Sequence, residues 1–394
     1  MRDVPNELWL RIFSGIGDGK TLIAITLVSH SFYGLGMEVL IRRVVWKNGT
    51  VALSHLDFWA RNPDKRRCVR GLKLHYHEGY KTPFVGNGRS GRLLSPAESQ
   101  SLCARISSFS MLKHLTLSHG FLPEDLFQSL QLLQNLTHLT IKYCCVPVPP
   151  LSTPIPITVS TLCVSNLYTQ KPDPAPTESS LFGDFIPNAM VYDVELNPIV
   201  SPHFIHILPH LHTLTASRIL ERDISDDAAA RLASFTINEV SCTGHATVTE
   251  IWASVRRMSQ LKRLHIDVER LRDRLFFYHS WIPFQPQGSF PRLQTIYGPG
   301  SLVASVLPGA NALAQVVIME PLAGTVHALD LITALIPLPV HTVALSLQKW
   351  DEKVLIHMTQ SLPQCERLEL LYFKGRSRPT KKFLHTVGKK YLKN

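Results

Sequence analysis

Leu112-Lys113-His114-Leu115-Thr116-Leu117 decides the fold, because its spacing of apolar residues returns along most of the chain. It recurs as Leu136-Thr137-His138-Leu139-Thr140-Ile141, Val159-Ser160-Thr161-Leu162-Cys163-Val164, Leu211-His212-Thr213-Leu214-Thr215-Ala216 and Leu261-Lys262-Arg263-Leu264-His265-Ile266. Weaker copies end at Leu74, Ile237, Ile318, Leu345 and Leu370, and decayed ones lie at Leu293–Ile296 and Val194–Leu196. The interval is roughly 20–32 residues, the range of a repeat built from one strand and its return segment. Alternating residues such as Leu115 and Leu117 predict a short strand with one apolar face. The first apolar residue of each copy turns in from the preceding loop. Helical segments are expected between copies at residues 97–109, 124–133, 226–232, 248–258 and 353–362, with Ser95-Pro96 and Pro123-Glu124-Asp125 as starts. One strand–helix unit buries its apolar face only against its neighbours. The expected class is α/β, a solenoid with parallel strands inside and helices outside.

Upstream of the repeats the pattern changes. Pro5 suits the first turn of a helix, and Leu8, Trp9, Ile12, Phe13 and Ile16 recur at helical spacing after it. Gly15, Gly17 and Gly19 end that helix, and Asp18 or Thr21 caps the next. Leu22, Ile25, Val28 or Ser29, and Phe32 mark a second stripe; a third helix is expected over roughly 33–43, followed by Val44. Gly34 and Gly36 weaken it by about 1 kcal/mol each relative to Ala. Three short helices cannot bury all these side chains among themselves. Periodicity alone leaves two readings: a docking surface for a partner, or the capping end of a larger fold.

The residue string itself resembles the F-box over about residues 2–45. Pro5, Glu7, Leu8, Ile12, Phe13, Val28, Ser29, Phe32, Leu35, Leu40, Arg43 and Val44 follow that pattern in order, with Val4 in place of the usual Leu. The resemblance implies docking on a Skp-type adaptor, and through it on a cullin, with Pro5, Leu8, Ile12, Val28 and Phe32 as the contacts. The body, from about Val69 to Gly375, resembles leucine-rich repeat proteins of irregular type, and the combination is similar to fungal F-box proteins. The expected organisation is a helical module over 1–45, a linker helix or connector over 46–68, the solenoid over 69–375 and a basic tail over 376–394.

Composition narrows the rest. Hydrophobic residues at 45% and charged ones at 18% fit a folded chain and exclude an intrinsically disordered one. No uninterrupted apolar run reaches a membrane span, and no signal-peptide core is present, so no membrane partner is expected. Seven cysteines without a CxxC pair argue against a disulfide framework and for a cytoplasmic or nuclear location, which makes the sequons at Asn48 and Asn135 chance matches. The net charge is +11, with basic clusters at 61–70, 256–274 and 374–393. Solvated surface is the plain meaning of such runs, and no nucleic-acid-binding motif accompanies them.

Signals for chemistry are weak. Gly86-Asn87-Gly88-Arg89-Ser90-Gly91 has the spacing of a dinucleotide loop without the strand and helix that would flank one. His203, His206, His210 and His212 are interrupted by Pro209 and by the repeat motif; His75 and His77 lack a third ligand; Cys144-Cys145 reads as packing. No catalytic residue, metal or cofactor is expected. The expected function is that of a non-enzymatic substrate receptor of a Skp/cullin/F-box ubiquitin ligase whose repeats hold a target protein. The alternatives are an interaction scaffold outside any ligase and a nucleic-acid-associated protein.

Overall fold

The computed structural model describes residues 4–16, 18–76, 96–122, 126–146, 158–165, 167–169, 209–216, 224–240, 253–268, 290–319, 322, 324–348 and 350–372. The GxGxxG stretch, most of the two proline-rich segments, His77, His203, His206 and the basic tail lie outside them. The chain divides into two compact units, Met1–His210 and Leu211–Asn394.

The first unit begins with three helices, α1 (Asn6–Ser14), α2 (Gly19–Thr26) and α3 (His30–Ile41). Pro5 stands at the N-cap of α1, where its carbonyl accepts from the amides of Leu8 and Trp9 at 3.0 and 3.3 Å. The Asp18 carboxylate caps α2 by accepting from the Lys20 and Thr21 amides and from the Thr21 hydroxyl; the hydroxyl bond first, and then the amides, hold its pKa below the usual carboxylate value. The Ser29 hydroxyl caps α3 by accepting from the Phe32 amide at 3.1 Å. That cap corrects the second stripe read from sequence. α2 stops at Thr26, and Phe32 belongs to α3.

A second correction concerns Gly36. It lies against Thr26 at the end of α2, and a Cβ there would stand 2.1 Å from Thr26 Cγ2. The missing side chain is what lets the two helices meet. Gly34 has open space around it and carries only the cost of backbone freedom.

Beyond α3 the chain enters its sheet at once. β1 (Arg43–Trp46) runs parallel to β2 (Gly71–His75), so Arg43 and Val44 are strand residues and the expected helix end falls at Ile41. The stretch read as connector contains α4 (Gly49–Arg61), capped by Asn48, and α5 (Pro63–Cys68). Then follow α6 (Pro96–Ile106), β3 (His114–Phe121), α7 (Leu126–Gln131), β4 (His138–Val146), β5 (Thr161–Ser165) and β6 (Tyr168–Thr169). The strands β1 to β5 are parallel and stand in chain order, while β6 pairs with the end of β4. Register places like on like. Leu72, Leu115, Leu139 and Leu162 form one buried row, and Leu74, Leu117, Ile141 and Val164 another. Trp46, Trp59 and Phe109 fill the space beneath the first strands, with ring centroids 5.6–6.1 Å apart. Gly120 crosses directly over Tyr76, where a Cβ would fall 2.3 Å from the Tyr76 Cβ.

The second unit repeats this plan. Its elements are β7 (Thr213–Ala216), α8 (Asp226–Arg231), β8 (Ser234–Val240), helical residues 253–256, β9 (Arg263–Val268), β10 (Thr295–Gly298), α9 (Gly300–Val306), β11 (Gln315–Ile318), α10 (Thr325–Leu335), β12 (Thr342–Leu347), α11 (Glu352–Ser361) and β13 (Arg367–Tyr372). All seven strands are parallel and in chain order.

One hydrogen-bond pattern organises both units. The two residues after each leading apolar residue donate their amides to a single carbonyl of the preceding repeat. Lys113 and His114 donate to Arg70, and Thr137 and His138 to Lys113, at 2.8–3.0 Å. Ser160 and Thr161 continue the series on Thr137. In the second unit Lys262 and Arg263 donate to Ala233, and His341 and Thr342 to Ala314. The leading residues Leu112, Leu136, Val159, Leu211, Leu261, Leu293, Leu313 and Val340 are all buried beneath this ladder, as their spacing requires. Arg42, the residue that ends α3, supplies the first rung by accepting from Arg70 and Gly71 at 2.9 Å.

Candidate interaction surfaces

Two surfaces stand out, and both follow from what the core leaves over. The first is the outside of the helical module. Trp9, Phe13 and Phe32 form its interior cluster, with centroids 4.7–5.9 Å apart, and Phe13 is fully buried. Leu8 and Ile12 sit one turn apart on the other side of α1 and remain 50% and 52% exposed. Val28 is more open still, at 73%, and Pro5 is exposed. Four of the five residues read as adaptor contacts are thus in solvent. Phe32, half-buried against Trp9, packs within the module. Sequence reasoning missed Ile23, Leu27 and Tyr33, which are exposed apolar residues of the same module. An apolar position that falls outside the inward stripe is the signal that could have found them.

The second surface is the open face of each sheet. In the first unit β1 to β5 present three rows: Arg43, Gly71, His114, His138 and Thr161; Val45, Lys73, Thr116, Thr140 and Cys163; His75, Ser118, Lys142 and Ser165. These are the variable positions of the repeat motif, so their shared face was readable from alternation, though their chemistry was not singled out. The imidazoles of His114 and His138 lie 4.3 Å apart. Burial lowers the His114 pKa below the usual imidazole value, and the neighbouring His138, Arg43 and Lys113 lower it further. His138 Nδ1 meets the Thr137 hydroxyl at 2.8 Å, and His75 Nδ1 meets that of Ser118 at the same distance.

His119 and Tyr143 have left-handed backbones, with φ of 59° and 53°. Each interrupts its strand at the same place, between the Ser118–Lys142 and Gly120–Cys144 pairings. Their rings stack at 4.9 Å, only 8° from parallel. Such backbones are uncommon for residues other than Gly, and the matched kinks stack one above the other. Below the sheet the Tyr76 hydroxyl meets Cys103 Sγ at 3.3 Å, and burial pushes the Tyr76 phenol well above its usual pKa.

In the second unit the corresponding rows include Arg263, Thr295 and Gln315, then His265, Tyr297 and Val317. Burial lowers the His265 pKa, and Asp267 opposes that shift. A cleft of about 270 Å³ lies between Leu322, Thr325, Leu347 and Asp351, where the Thr325 hydroxyl donates to the Asp351 carboxylate. Among the described residues no group of three or more His, Cys, Asp or Glu could hold a metal ion, and no helix is long and apolar enough to cross a membrane. His212 is exposed, with Nδ1 3.4 Å from the Arg231 carbonyl. Cys144 is buried, its Sγ 3.3 Å from the Lys142 carbonyl.

No protein-family model matches the chain, and a comparison with curated proteins finds no relative. Among solved structures, the chain is similar to an internalin from Listeria monocytogenes at 11% identity and a TM-score of 0.33, with 84% of this chain and 91% of the other covered. The stacked parallel strands, the recurring leading apolar residue and the carbonyl ladder make both units arrays of stacked strand repeats on their own geometry. Arrays of this kind present extended faces suited to binding proteins.

Proposed function

We propose that the chain is a non-catalytic substrate receptor of a Skp/cullin/F-box ubiquitin ligase. The helical module docks on the Skp-type adaptor, and the repeat array holds the target protein. The observation that supports this reading is the division of apolar residues in α1. Phe13 is sealed in the module while Leu8 and Ile12, one turn apart, face solvent. Exposed residues at i and i+4 are what a helix offers to an apolar groove. Pro5, Leu8, Ile12 and Val28 are the contacts, and Phe32 acts by holding Trp9 and Phe13 beneath them.

The receptor performs no covalent chemistry. Its contribution is effective concentration, because a tethered target meets the ubiquitin-charged enzyme as if intramolecularly. The module ends in the first rung of the ladder, where Arg42 accepts from Arg70 and Gly71, so docking and target-binding parts join without a free hinge at that point.

Co-expression with a Skp-type adaptor and the adaptor-binding part of a cullin tests the reading. A stable ternary complex is expected for the native chain, and Leu8→Asp and Ile12→Asp each abolish it while leaving the far-ultraviolet circular dichroism unchanged. Absence of a complex with the native chain overturns the ligase assignment. A complex that survives both substitutions overturns the contact assignment.

A further inference from the structure

The described acids of the first unit are confined to its helices and their caps, whereas its cations lie on helices and strands alike. Its described acids are Glu7, Asp18, Glu38, Asp57, Asp64 and Glu98, and every one lies on a helix or its cap. Three are paired with helix-side arginines: Glu38 with Arg42 at 2.6 Å, Asp57 with Arg105 at 3.3 Å and Asp64 with Arg67 at 4.0 Å. The strands β1 to β5 contain no Asp or Glu. Arg43, Lys73 and Lys142 share their open face with His75, His114 and His138. None of these three cations forms an ion pair among the described residues.

We propose that this open face binds an extended, carboxylate-rich segment of the target protein. The inference rests on the reading of the repeat array as the target-binding part, and it names the chemistry of what that part takes. Geometry fits a peptide lying across the strands. Arg43 on β1, Lys73 on β2 and Lys142 on β4 run diagonally, each two residues further along its strand than the one before, which at ~4.8 Å between strands and ~3.3 Å per residue puts Lys73 about 8 Å from Arg43 and Lys142 about 12 Å from Lys73. An extended peptide places alternate side chains about 6.6 Å apart, so carboxylates at every second position match the first step with one interval and the second with about two.

The charge layout also selects among anions. Phosphate recognition favours clustered arginine forks that close on one group. Here a single Arg and two Lys are spread over separate strands, which suits distributed carboxylates. Nucleic acid asks for ring faces on which bases stack. The rings of His119 and Tyr143 are turned onto each other instead. His114 holds its proton weakly beside Arg43, Lys113 and His138. A bound carboxylate favours that proton, so binding takes up protons and tightens as pH falls.

The test is fluorescence anisotropy on the full chain with a labelled twelve-residue peptide alternating Glu or Asp with Ser, without adaptor present. Binding is expected to weaken about tenfold or more in Lys73→Glu/Lys142→Glu and severalfold in Lys73→Gln/Lys142→Gln, and to be unchanged in Lys262→Glu. It is also expected to tighten severalfold from about pH 7.5 to about pH 6 in the native chain and not in His114→Gln/His138→Gln. Circular dichroism confirms that each variant is folded. The proposal is overturned if a Gln/Asn version of the peptide binds equally well, or if the lysine variants bind like the native chain. A phosphoserine version binding more than about tenfold better, or oligouridylate displacing the peptide at lower concentration, overturns it in favour of those ligands. Failure of adaptor capture with peptide binding intact sinks the ligase reading alone, and the converse result sinks this one alone.

Discussion

Gly34 and Gly36 stand two residues apart on one helix, and adding a methyl group should move stability in opposite directions. At Gly36 the new Cβ meets Thr26 Cγ2 at 2.1 Å and Thr26 Cβ at 3.3 Å. Thr26 is buried, and its hydroxyl donates to the Ile23 carbonyl at 2.6 Å, so it cannot turn aside without losing that bond. Overpacking of this kind costs about 1–3 kcal/mol, from which a helix-propensity gain of about 1 kcal/mol is subtracted. Gly36→Ala should therefore destabilise the module by about 1 kcal/mol, at the centre of a range of about 0–2. At Gly34 nothing lies within 4 Å of the new atom, and Gly34→Ala should stabilise by about 0.5–1 kcal/mol. Thr26→Ser removes the obstructing methyl and keeps the hydroxyl, so it should rescue Gly36→Ala with a coupling of about 1 kcal/mol. A repeat array does not melt as one two-state body, so the measurement is native-state hydrogen exchange of peptides covering α2 and α3 in the full chain. The two variants differ by about 2 kcal/mol, roughly thirtyfold in the opening equilibrium of α3. Equal signs for the two alanines, or strict additivity of Gly36→Ala and Thr26→Ser, would refute the packing argument.

Ser29→Ala should expose the α3 amides that its hydroxyl now caps, costing about 1 kcal/mol and accelerating exchange at Phe32. Leu139→Ala empties the centre of a buried row between Leu115 and Leu162 and should cost about 2–5 kcal/mol, against less than about 1 for its open-face neighbour Thr140→Ala; comparable opening of β4 by native-state hydrogen exchange would contradict the assigned inward face. His114 has a lowered pKa in the folded chain, so below the usual imidazole value the unfolded chain binds more protons. Stability about β3 should hold above that value and decline as pH falls from it through the lower folded pKa, and His114→Gln should flatten the profile measured by hydrogen exchange on that strand.

The strands and their inward faces were legible because a period of two is strict, and each leading leucine marks where a repeat begins. Strand β1 was harder to see. Arg43 and Val44 continue the apolar rhythm of α3 without a Gly or Pro between them, and only the β-branched pair Val44-Val45 hints at extension. The change is fixed by pairing with β2, a partner nearly thirty residues away in the chain (Arg43 opposite Gly71), which local sequence does not carry. Gly36 was misread for a related reason. Helix propensity is a property of one residue, whereas its role depends on Thr26 across the helix interface. Phe32 shows the same limit in the helical module: apolar spacing gives a face, and only packing against Trp9 tells which face is inward. The charged open face arises from positions the repeat leaves unspecified, so its freedom from acids becomes visible only when strands from separate repeats are set side by side.

The shared carbonyl at the start of each repeat has a consequence for how such a chain can change length. Both donors and their acceptor lie in the short arc around the leading leucine, so the stitching is indifferent to what the return segment contains. The return between β2 and β3 is far longer than that between β3 and β4, yet both arrive on the same rung geometry. Whole repeats can therefore be gained, lost or exchanged by recombination at the arc while the pitch of the surviving strands is preserved. Grafting one strand arc from this chain into another array of the same pitch should transplant its surface residues as a cassette.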